Sequence, residues 1–319
     1  MSIRVGLVGA RGYVGREMLE LISRHPELEL AFASSREWAG RPVTDMLEGH
    51  DTDFGSLAFE PLAPEEAAAR KADAVILGLP NGKSAPFVEA IDAASPETII
   101  IDLSGDHRHH DDWTYGLPER NRDAIAGARR IANPGCYATA AQLAIMPLTD
   151  LWAEPVHTFG LSGWSGAGTT PSRRNDPEAL NDNAMPYGLM GHGHEKEISA
   201  HSGLDVRFTP TVASFFRGLV VVASGTLKAP AATSDIQARY AALAQAEPFV
   251  TLTEEPAEPG EAAKRHDCLI GRPAVSEDGS RVVVTAALDN LLKGAASQAI
   301  QNLNIIKGWP EETGLTPSN

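Results

Sequence analysis

An apolar strand that runs directly into a glycine-rich turn and then a helix opens the chain. Residues 3–8 predict a buried strand, residues 9–15 (Gly-Ala-Arg-Gly-Tyr-Val-Gly) form the turn, and the apolar spacing beyond them predicts a helix to about Arg24. This order is typical of dinucleotide-binding units, because glycines allow a tight bend and a close approach of the backbone to a pyrophosphate. The spacing G-x-x-G-x-x-G is a variant of the usual G-x-G-x-x-G. A glycine-rich turn that binds nothing therefore stays open as the alternative.

Strands and helices continue to alternate as far as residue 132. Further apolar strands are predicted at 28–33, 74–80, 98–104 and 129–132, with helices at 64–71 and 85–94 and an acidic, loop-like stretch at 41–60. This alternation predicts an α/β fold built on a doubly wound, Rossmann-type parallel sheet. Ligands of such sheets bind beyond the carboxyl ends of the strands, where we expect Gly9, Ser34, Leu79 and Ser104.

The end of the second predicted strand bears on the choice between NAD and NADP. A unit that binds NAD usually carries Asp or Glu there to bind the ribose hydroxyls, whereas this chain has Ser34, Ser35 and Arg36. Because a guanidinium suits the 2′-phosphate of NADP, we expect NADP(H) as the cofactor. A solvated loop arginine is the alternative.

Cys136 follows the tight turn Asn133-Pro134-Gly135 and precedes an Ala-rich run that predicts a helix over 137–146, which Pro147 would end or kink. We expect Asn133 to be the N-cap and Pro134 to lie in the first turn. Cys136 would then lie in that turn too, where the helix dipole stabilises a thiolate, the nucleophilic form of cysteine. A buried structural cysteine is the alternative.

Composition limits the partners and the compartment. The 319 residues are enough for two domains, and 27 basic against 42 acidic residues give a formal charge of −15, which argues against nucleic-acid binding. The two cysteines, Cys136 and Cys268, fit neither a disulfide framework nor a four-ligand zinc site, which favours a reducing compartment. We see no signal peptide and no apolar run of membrane-spanning length, so we expect a cytoplasmic protein without a membrane partner. We expect Cys268 to be a small buried core residue.

Two sequence features beyond Cys136 suggest binding of anions. Residues 163–168 (Gly-Trp-Ser-Gly-Ala-Gly) follow a predicted strand at 156–162, and the backbone N–H groups of such a loop can hold an anion. Arg217 stands beside aromatic residues and could bind a carboxylate with two parallel hydrogen bonds. A mobile loop and a surface ion pair are the respective alternatives.

Two histidines complete the set of candidate catalytic residues. His194 and Glu197 share a face if their segment is helical, and the carboxylate could then support protonation of the imidazole. His192 and His194 also suggest a metal site, yet no third His or Cys follows at ligand spacing, so we expect no metal. A solvated histidine pair is the alternative.

Taken together, these motifs resemble the N-acetyl-γ-glutamyl-phosphate reductase family, which is related to aspartate-semialdehyde dehydrogenase. The shared motifs lie in the family's order over nearly the whole chain, at 9–15, 102–104, 115–119, 133–137, 162–168, 192–194, 217–218 and 289–296. The resemblance implies NADPH-dependent reduction of an acyl phosphate to an aldehyde with release of phosphate, through a thioester on Cys136. It also implies an NADP-binding Rossmann domain at 1–135, completed by a C-terminal helix at 293–319. The rest, 136–292, would be a second α+β domain for catalysis and dimerisation, in a homodimer or homotetramer.

The resemblance also implies roles for single residues. Cys136 would be the nucleophile, His194 the acid–base group and Glu197 the carboxylate that orients it. The expected cofactor-binding residues are Gly9, Arg11, Gly12, Tyr13, Val14, Ser34, Ser35, Arg36, Leu79, Pro80, Ser104, Gly166 and Asn290. The expected substrate-binding residues are Asn133, Arg108, Ser162, Gly163 and Arg217.

The chain departs from the family's pattern between its two histidines. Gly193 stands where the family has an arginine in His-Arg-His, which leaves the acyl group open, with aspartyl or aminoadipyl phosphate as alternatives. The choice between His192 and His194 as the acid–base group also stays open. Two readings from other classes are a non-catalytic NADP-sensing protein and a cofactor-independent thiol hydrolase.

Overall fold

The structure is a computed structural model that describes residues 2–47 and 54–315. Residues 48–53 of the expected acidic loop and residues 316–319 of the expected C-terminal segment therefore lie outside the described residues. The described chain divides into two compact units, a first unit of residues 2–134 and 295–315 and a second unit of residues 135–294. Within this part of the chain, no helix combines the length and apolar character needed to cross a membrane.

A six-stranded parallel sheet forms the centre of the first unit. Its strands are β1 Ile3–Val8, β2 Leu28–Ser34, β3 Ala74–Leu77, β4 Ile99–Asp102, β5 Thr114–Tyr115 and β6 Arg130–Ala132. They pair in the order β2-β1-β3-β4-β6-β5, and every pair is parallel. From β1 the chain first continues to β2 on one side and then to β3 on the other. Sheets of this kind bind ligands at such a switch point, beyond the carboxyl ends of the strands. The predicted doubly wound sheet is confirmed.

Four helices of the first unit follow its strands along the chain. They are α1 Tyr13–Arg24, α2 Pro64–Ala69, α3 Ala85–Ala94 and α4 Pro118–Ala126. In α1 the buried side chains Met18, Leu19 and Ile22 recur at helical spacing, as predicted. Residues 114–119 include regular structure, since β5 pairs with β6 and Pro118 lies in the first turn of α4, where a proline costs no hydrogen bond.

The second unit contains a mixed sheet of eight strands. They are β7 Trp152–Gly163, β8 Ala184–Pro186, β9 Val206–Ala213, β10 Leu219–Leu227, β11 Val250–Thr253, β12 Cys268–Gly271, β13 Ala274–Val275 and β14 Arg281–Leu288. The order is β11-β12-β14-β10-β7-β9-β8, with β13 paired to β14. Cys268 is fully buried at the start of β12, as expected.

The second unit also contains several α-helices. They are α5 Cys136–Ile145, α6 Pro177–Leu180, α7 Gly193–Ser202, α8 Thr233–Ala246 and α9 Pro259–Ala262. Helix α5 packs on β10 and β14 and against α7, and every residue of it after Cys136 is buried. The Ala-rich composition of α5 explains this burial, because small side chains let the helix lie close to the sheet.

The last helix, α10 Ala296–Lys307, returns to the first unit. It packs against α1 and α4, and Asn302 Nδ2 donates to Gly116 O at 2.9 Å. Ten of its residues, from Ala296 to Ile305, are buried, so the helix forms part of the core of that unit.

Candidate active site

Cys136 is the first residue of α5 and is half-buried. The N-cap is Gly135, in an extended conformation (φ −72°, ψ 149°), so the expectations that Asn133 caps the helix and that Pro134 lies in its first turn are wrong. A residue before proline is driven out of the helical region, and the chain stays extended through Gly135 before it turns. The Asn133 side chain instead donates to Ala295 O at 3.2 Å and accepts from Asn302 at 3.1 Å. The placement of Cys136 in the first helical turn is as predicted.

Glu197 holds the turn that precedes Cys136. The segment that carries it is the helix α7, so His194 and Glu197 lie on one helical face. Glu197 is only 2% exposed, and its Oε1 accepts from the Gly135 N–H at 2.8 Å. This bond joins α7 to the N-terminus of α5.

His192 and His194 lie side by side at the start of α7. His192 is the N-cap, since its Nδ1 accepts from the His194 backbone N–H at 3.2 Å, and the two rings are 5.0 Å apart. Burial and the nearby positive charge of Arg174 lower the pKa of His192. The His194 ring meets the Tyr137 ring edge-on at 5.9 Å. Over residues 2–47 and 54–315, no group of three or more His, Cys, Asp or Glu side chains could hold a metal ion.

Two tyrosines border the cysteine, and sequence reasoning gave neither a role of its own. The Tyr137 hydroxyl donates to Thr211 O at 2.7 Å, and burial raises the pKa of Tyr137 far above its usual value. Burial and the neighbouring Cys136 raise the pKa of Tyr187 to about 12. Both phenols therefore stay protonated at neutral pH.

The loop from Asp289 to Gly294 packs against Cys136 from another side. A Cβ on Gly294 would lie 2.6 Å from Cys136 Cβ, so only glycine allows this approach. Asp289 is fully buried, and its Oδ2 accepts from Arg217 Nε at 2.6 Å. Asn290, a predicted cofactor ligand, accepts from the Gly218 N–H and donates to Ser165 Oγ, both at 2.8 Å.

The glycine-rich loop after β7 differs from the expectation of exposed amides. Residues 164–167 form a short 3₁₀ turn, next to Ser162 and Gly163 at the end of the strand. Four backbone N–H groups of residues 163–168 already donate to backbone carbonyls, namely those of Gly163, Trp164, Ser165 and Gly168. Three of these bonds reach residues 215–218, a long-range pairing that the sequence does not reveal.

In the first unit, the turn between β1 and α1 fits a dinucleotide. Gly9 has φ +83°, a conformation that favours glycine, and the N–H groups of Gly9 and Ala10 donate to Ser34 O at 3.1 and 3.0 Å. Gly12 is the N-cap of α1, and apart from its chain neighbours no atom of residues 2–47 and 54–315 lies within 4 Å of where its Cβ would be. The positive end of α1 thus faces open space, as a pyrophosphate requires. Arg11, also in this turn, forms an ion pair with Glu37.

The remaining predicted residues of the first unit lie at the ends of its strands. Ser34 and Ser35 are buried and Arg36 is exposed. Ser104 Oγ donates to Asp102 Oδ2 at 2.8 Å, after β4. Arg108 donates to Asn133 O at 2.9 Å and to Leu103 O at 3.0 Å. The other first-unit positions are Tyr13 and Val14 at the start of α1 and Leu79 and Pro80 after β3, whereas Gly166 and Asn290 belong to the second unit.

Comparison with known proteins gives the same division of the chain. Residues 4–128 match the family described as semialdehyde dehydrogenase, NAD binding domain, and residues 136–290 match semialdehyde dehydrogenase, dimerisation domain. Aspartate semialdehyde dehydrogenase II from Vibrio cholerae superposes with a TM-score of 0.77 at 18% identity, covering 97% of this chain and 99% of that one. At this identity the likeness concerns the fold.

Closer relatives are found among sequences. N-acetyl-γ-glutamyl-phosphate reductase from Xanthomonas axonopodis pv. citri is 51% identical over 96% of both chains. The protein of the same name from Xylella fastidiosa is 49% identical over 98% of this chain and 95% of its own length. The resemblance drawn from the motifs is confirmed. The chain belongs to the semialdehyde dehydrogenase family and, within it, to the N-acetyl-γ-glutamyl-phosphate reductases.

Proposed function

We propose that this chain reduces N-acetyl-γ-glutamyl phosphate to N-acetylglutamate semialdehyde, with NADPH as reductant and release of phosphate, in arginine biosynthesis. The observation that carries the proposal is the position of Cys136. It opens α5 in a chain that is 51% identical to a reductase of that name. Around it stand a histidine, a buried carboxylate and two protonated tyrosines.

The first unit is our candidate for the NADP(H) domain. The turn around Gly9 and Gly12 suits the pyrophosphate, because it leaves open space at the N-terminus of α1. No carboxylate stands among Ser34, Ser35 and Arg36 at the end of β2, and the exposed guanidinium of Arg36 favours the 2′-phosphate of NADP over the bare ribose of NAD. We place Leu79, Pro80 and Ser104 along the same edge of the sheet.

Cys136 acts as the nucleophile. The unpaired N–H groups and the positive dipole at the start of α5 favour its thiolate. The sulfur forms a bond to the acyl carbon, and the bond from that carbon to the phosphate oxygen breaks, so the electron pair leaves with phosphate. The result is a thioester on Cys136.

His194 moves the protons of the reaction. As imidazole it takes the thiol proton before the attack, and as imidazolium it returns a proton to the sulfur when the aldehyde is released. We assign this role to His194 because His192 is occupied as the helix cap and has a lowered pKa. The bound nicotinamide cofactor supplies the hydride that replaces sulfur at the acyl carbon. Glu197 acts as a positioning residue through its bond to Gly135.

The expected substrate-binding residues are divided between the units. Arg108 and Asn133 lie in the first unit, where backbone carbonyls fix the Arg108 guanidinium. Ser162, Gly163 and Arg217 lie in the second, where Asp289 holds Arg217 in place. We propose that these groups bind the phosphate and the polar parts of the acyl chain.

The second unit also supports a homo-oligomer, as a homodimer or homotetramer. The face of its sheet that α5 does not cover carries apolar side chains in neighbouring strands. Phe159 is 43% exposed, and Leu161, Val220 and Val222 are half-buried. We propose that this face mediates self-association, because large apolar patches on a folded surface usually mark interaction sites.

A substrate panel in the reverse direction tests the proposed function. The enzyme is given NADP, phosphate and either N-acetylglutamate semialdehyde or aspartate semialdehyde, and NADPH formation is followed by absorbance. We expect phosphate-dependent NADPH formation with the acetylated substrate alone. Activity only with aspartate semialdehyde would keep the chemistry and overturn the substrate. Binding of NADPH without turnover on either aldehyde would contradict the proposal.

A further inference from the structure

A guanidinium lies against the aromatic side chains next to Cys136. Arg174 Cζ is 4.7 Å from the centroid of the Tyr187 ring. Tyr187 meets His192 edge-on at 5.5 Å between ring centroids, and Cys136 is close enough to Tyr187 to raise its pKa. Arg174 thus belongs to the group of side chains that surrounds the nucleophile, although nothing in its sequence context indicates this.

The guanidinium of Arg174 is exposed to solvent. Among the residues that the structure describes, no carboxylate forms an ion pair with it. Arg217, in contrast, is paired with the fully buried Asp289 at 2.6 Å. In a chain with a formal charge of −15, an exposed guanidinium without an ion-pair partner is suited to bind an anion.

The loop that carries Arg174 is well structured. Asn175 Nδ2 donates to Gly168 O and to Thr170 O, both at 2.8 Å, and Asn175 Oδ1 accepts from the Ser172 N–H at 2.7 Å. These bonds close a turn directly after the glycine-rich loop. The backbone of Arg174 is therefore held in place before any ligand arrives, which lowers the entropic cost of binding.

Arg174 also lies near the position where the family's pattern is broken. Apart from its chain neighbours and the backbone of α7, no atom of the described residues lies within 4 Å of where a Cβ of Gly193 would be, so a side chain could be accommodated there. Arg174 acts electrostatically on His192, the neighbour of Gly193, and lowers its pKa. A positive charge is thus present beside the histidine pair, supplied from a different segment.

We propose that Arg174 binds the carboxylate at the far end of the substrate and thereby helps to select the acyl group. The inference rests on the proposed function. In N-acetyl-γ-glutamyl phosphate, four carbon–carbon bonds of about 1.5 Å each separate the acyl carbon from this carboxylate. Arg174 lies against the Tyr187 ring, and Cys136 is close enough to Tyr187 to raise its pKa. A guanidinium beside this ring suits the remote carboxylate better than the phosphate, whose oxygen is bonded to the reacting carbon itself.

The test compares Arg174→Gln with the matched control Arg173→Gln, which removes an exposed arginine from the adjacent position of the same turn. In the reverse assay, we expect Arg174→Gln to raise KM for N-acetylglutamate semialdehyde roughly 10- to 100-fold, as loss of a charge-assisted hydrogen bond predicts. KM for phosphate and for NADP stays unchanged, Arg174→Lys recovers part of the loss, and Arg173→Gln behaves as wild type.

A second readout does not depend on turnover. Iodoacetamide alkylates Cys136, because Cys268 is fully buried, and N-acetylglutamate serves as the carboxylate probe. We expect the probe to slow alkylation in wild type and Arg173→Gln, and to lose this effect in Arg174→Gln. Unchanged protection and an unchanged KM for the semialdehyde in Arg174→Gln would overturn the inference, as would a rise confined to KM for phosphate. If the proposed function itself is wrong, the wild-type enzyme does not turn over this semialdehyde. That result differs from failure of the inference about Arg174, in which wild type and Arg174→Gln are equally active.

Discussion

At the level of single residues, two glycines next to Cys136 determine its position. A methyl group on Gly294 would lie 2.6 Å from Cys136 Cβ, so the loop can approach the cysteine only because residue 294 is glycine. The Gly135 N–H, next to Cys136, donates a hydrogen bond to Glu197. The motif Asn-Pro-Gly-Cys indicated the first-turn position of the cysteine from sequence. It did not reveal the role of Asn133, because the partners of its side chain, Ala295 and Asn302, are more than 160 residues away along the chain.

Arg36 provides a prediction at this scale. We expect Arg36→Ala to raise KM for NADPH about tenfold or more while KM for NADH stays the same, because the guanidinium would contact only the 2′-phosphate. Steady-state kinetics with both cofactors measures this, and Arg16→Ala, which removes an exposed arginine of α1, is the control. An equal change with both cofactors would show that Arg36 does not distinguish them.

At the scale of elements, the site depends on the contact between α5 and α7. The prediction that the His194 segment is helical is confirmed, since His192 caps it and Gly203 ends it in a left-handed conformation (φ 75°). The contact itself could not be predicted, because helical periodicity indicates which face is buried and not which element it meets. In the same way, the apolar run of β7 predicted a strand. The loop after β7 is hydrogen-bonded to residues 215–218, and this pairing depends on tertiary structure, so the sequence pattern does not reveal it.

Glu197 tests this contact. Glu197→Ala leaves the Gly135 N–H without its acceptor, so we expect a loss of about 1–3 kcal/mol in the free energy of unfolding together with a lower kcat. Glu197→Gln keeps an acceptor oxygen and is expected to recover most of the stability. Urea denaturation and kinetics of the two variants measure the effects. Equal stability of wild type and Glu197→Ala would show that the bond does not hold the turn.

The end of α1 provides a second test at this scale. His25 is buried, its Nδ1 accepts from the Glu27 N–H at 3.1 Å, and its Nε2 bonds to Asn304 Oδ1 at 3.0 Å. Burial lowers the pKa of His25 below its ordinary value of 6.5, and the two bonds fit the neutral ring with a proton on Nε2.

Because the unfolded chain binds a proton at His25 more readily than the folded chain, stability is full above pH 6.5 and falls as the pH drops below it. We expect His25→Gln to show a shallower fall between about pH 8 and about pH 5. The urea midpoints of wild type and His25→Gln, measured across this pH range, give the difference. The other histidines are present in both proteins, so their contributions to the pH dependence cancel. Parallel curves would mean that His25 does not titrate differently on folding.

At the scale of the whole molecule, the order of elements was the most predictable feature. Strands buried on both faces, such as Ala74–Leu77 and Ile99–Asp102, are continuous apolar runs, and helices separate them, so the parallel sheet of the first unit followed from the pattern. The second sheet was less predictable, because its strands pair in an order that long connections set. The match of residues 136–290 to a dimerisation domain indicates that this unit also carries the oligomer contact.

Phe159 tests the proposed oligomer face. We expect Phe159→Glu to shift the protein towards the monomer in analytical ultracentrifugation, because a charge in an apolar interface would be desolvated. Gln245→Glu adds the same charge on the exposed side of α8 and is expected to leave the assembly unchanged. If Phe159→Glu sediments as wild type does, the contact between subunits lies on another surface.

Rapid mixing without phosphate shows whether a thioester forms on Cys136. Enzyme is mixed with N-acetylglutamate semialdehyde and NADP, and NADPH absorbance is followed. If Cys136 forms a thioester, wild type produces a burst of one NADPH per subunit that then stops, and turnover continues once phosphate is added. Cys136→Ser gives no burst, although that variant still binds NADPH. A burst from Cys136→Ser, or steady turnover of wild type without phosphate, would contradict this mechanism.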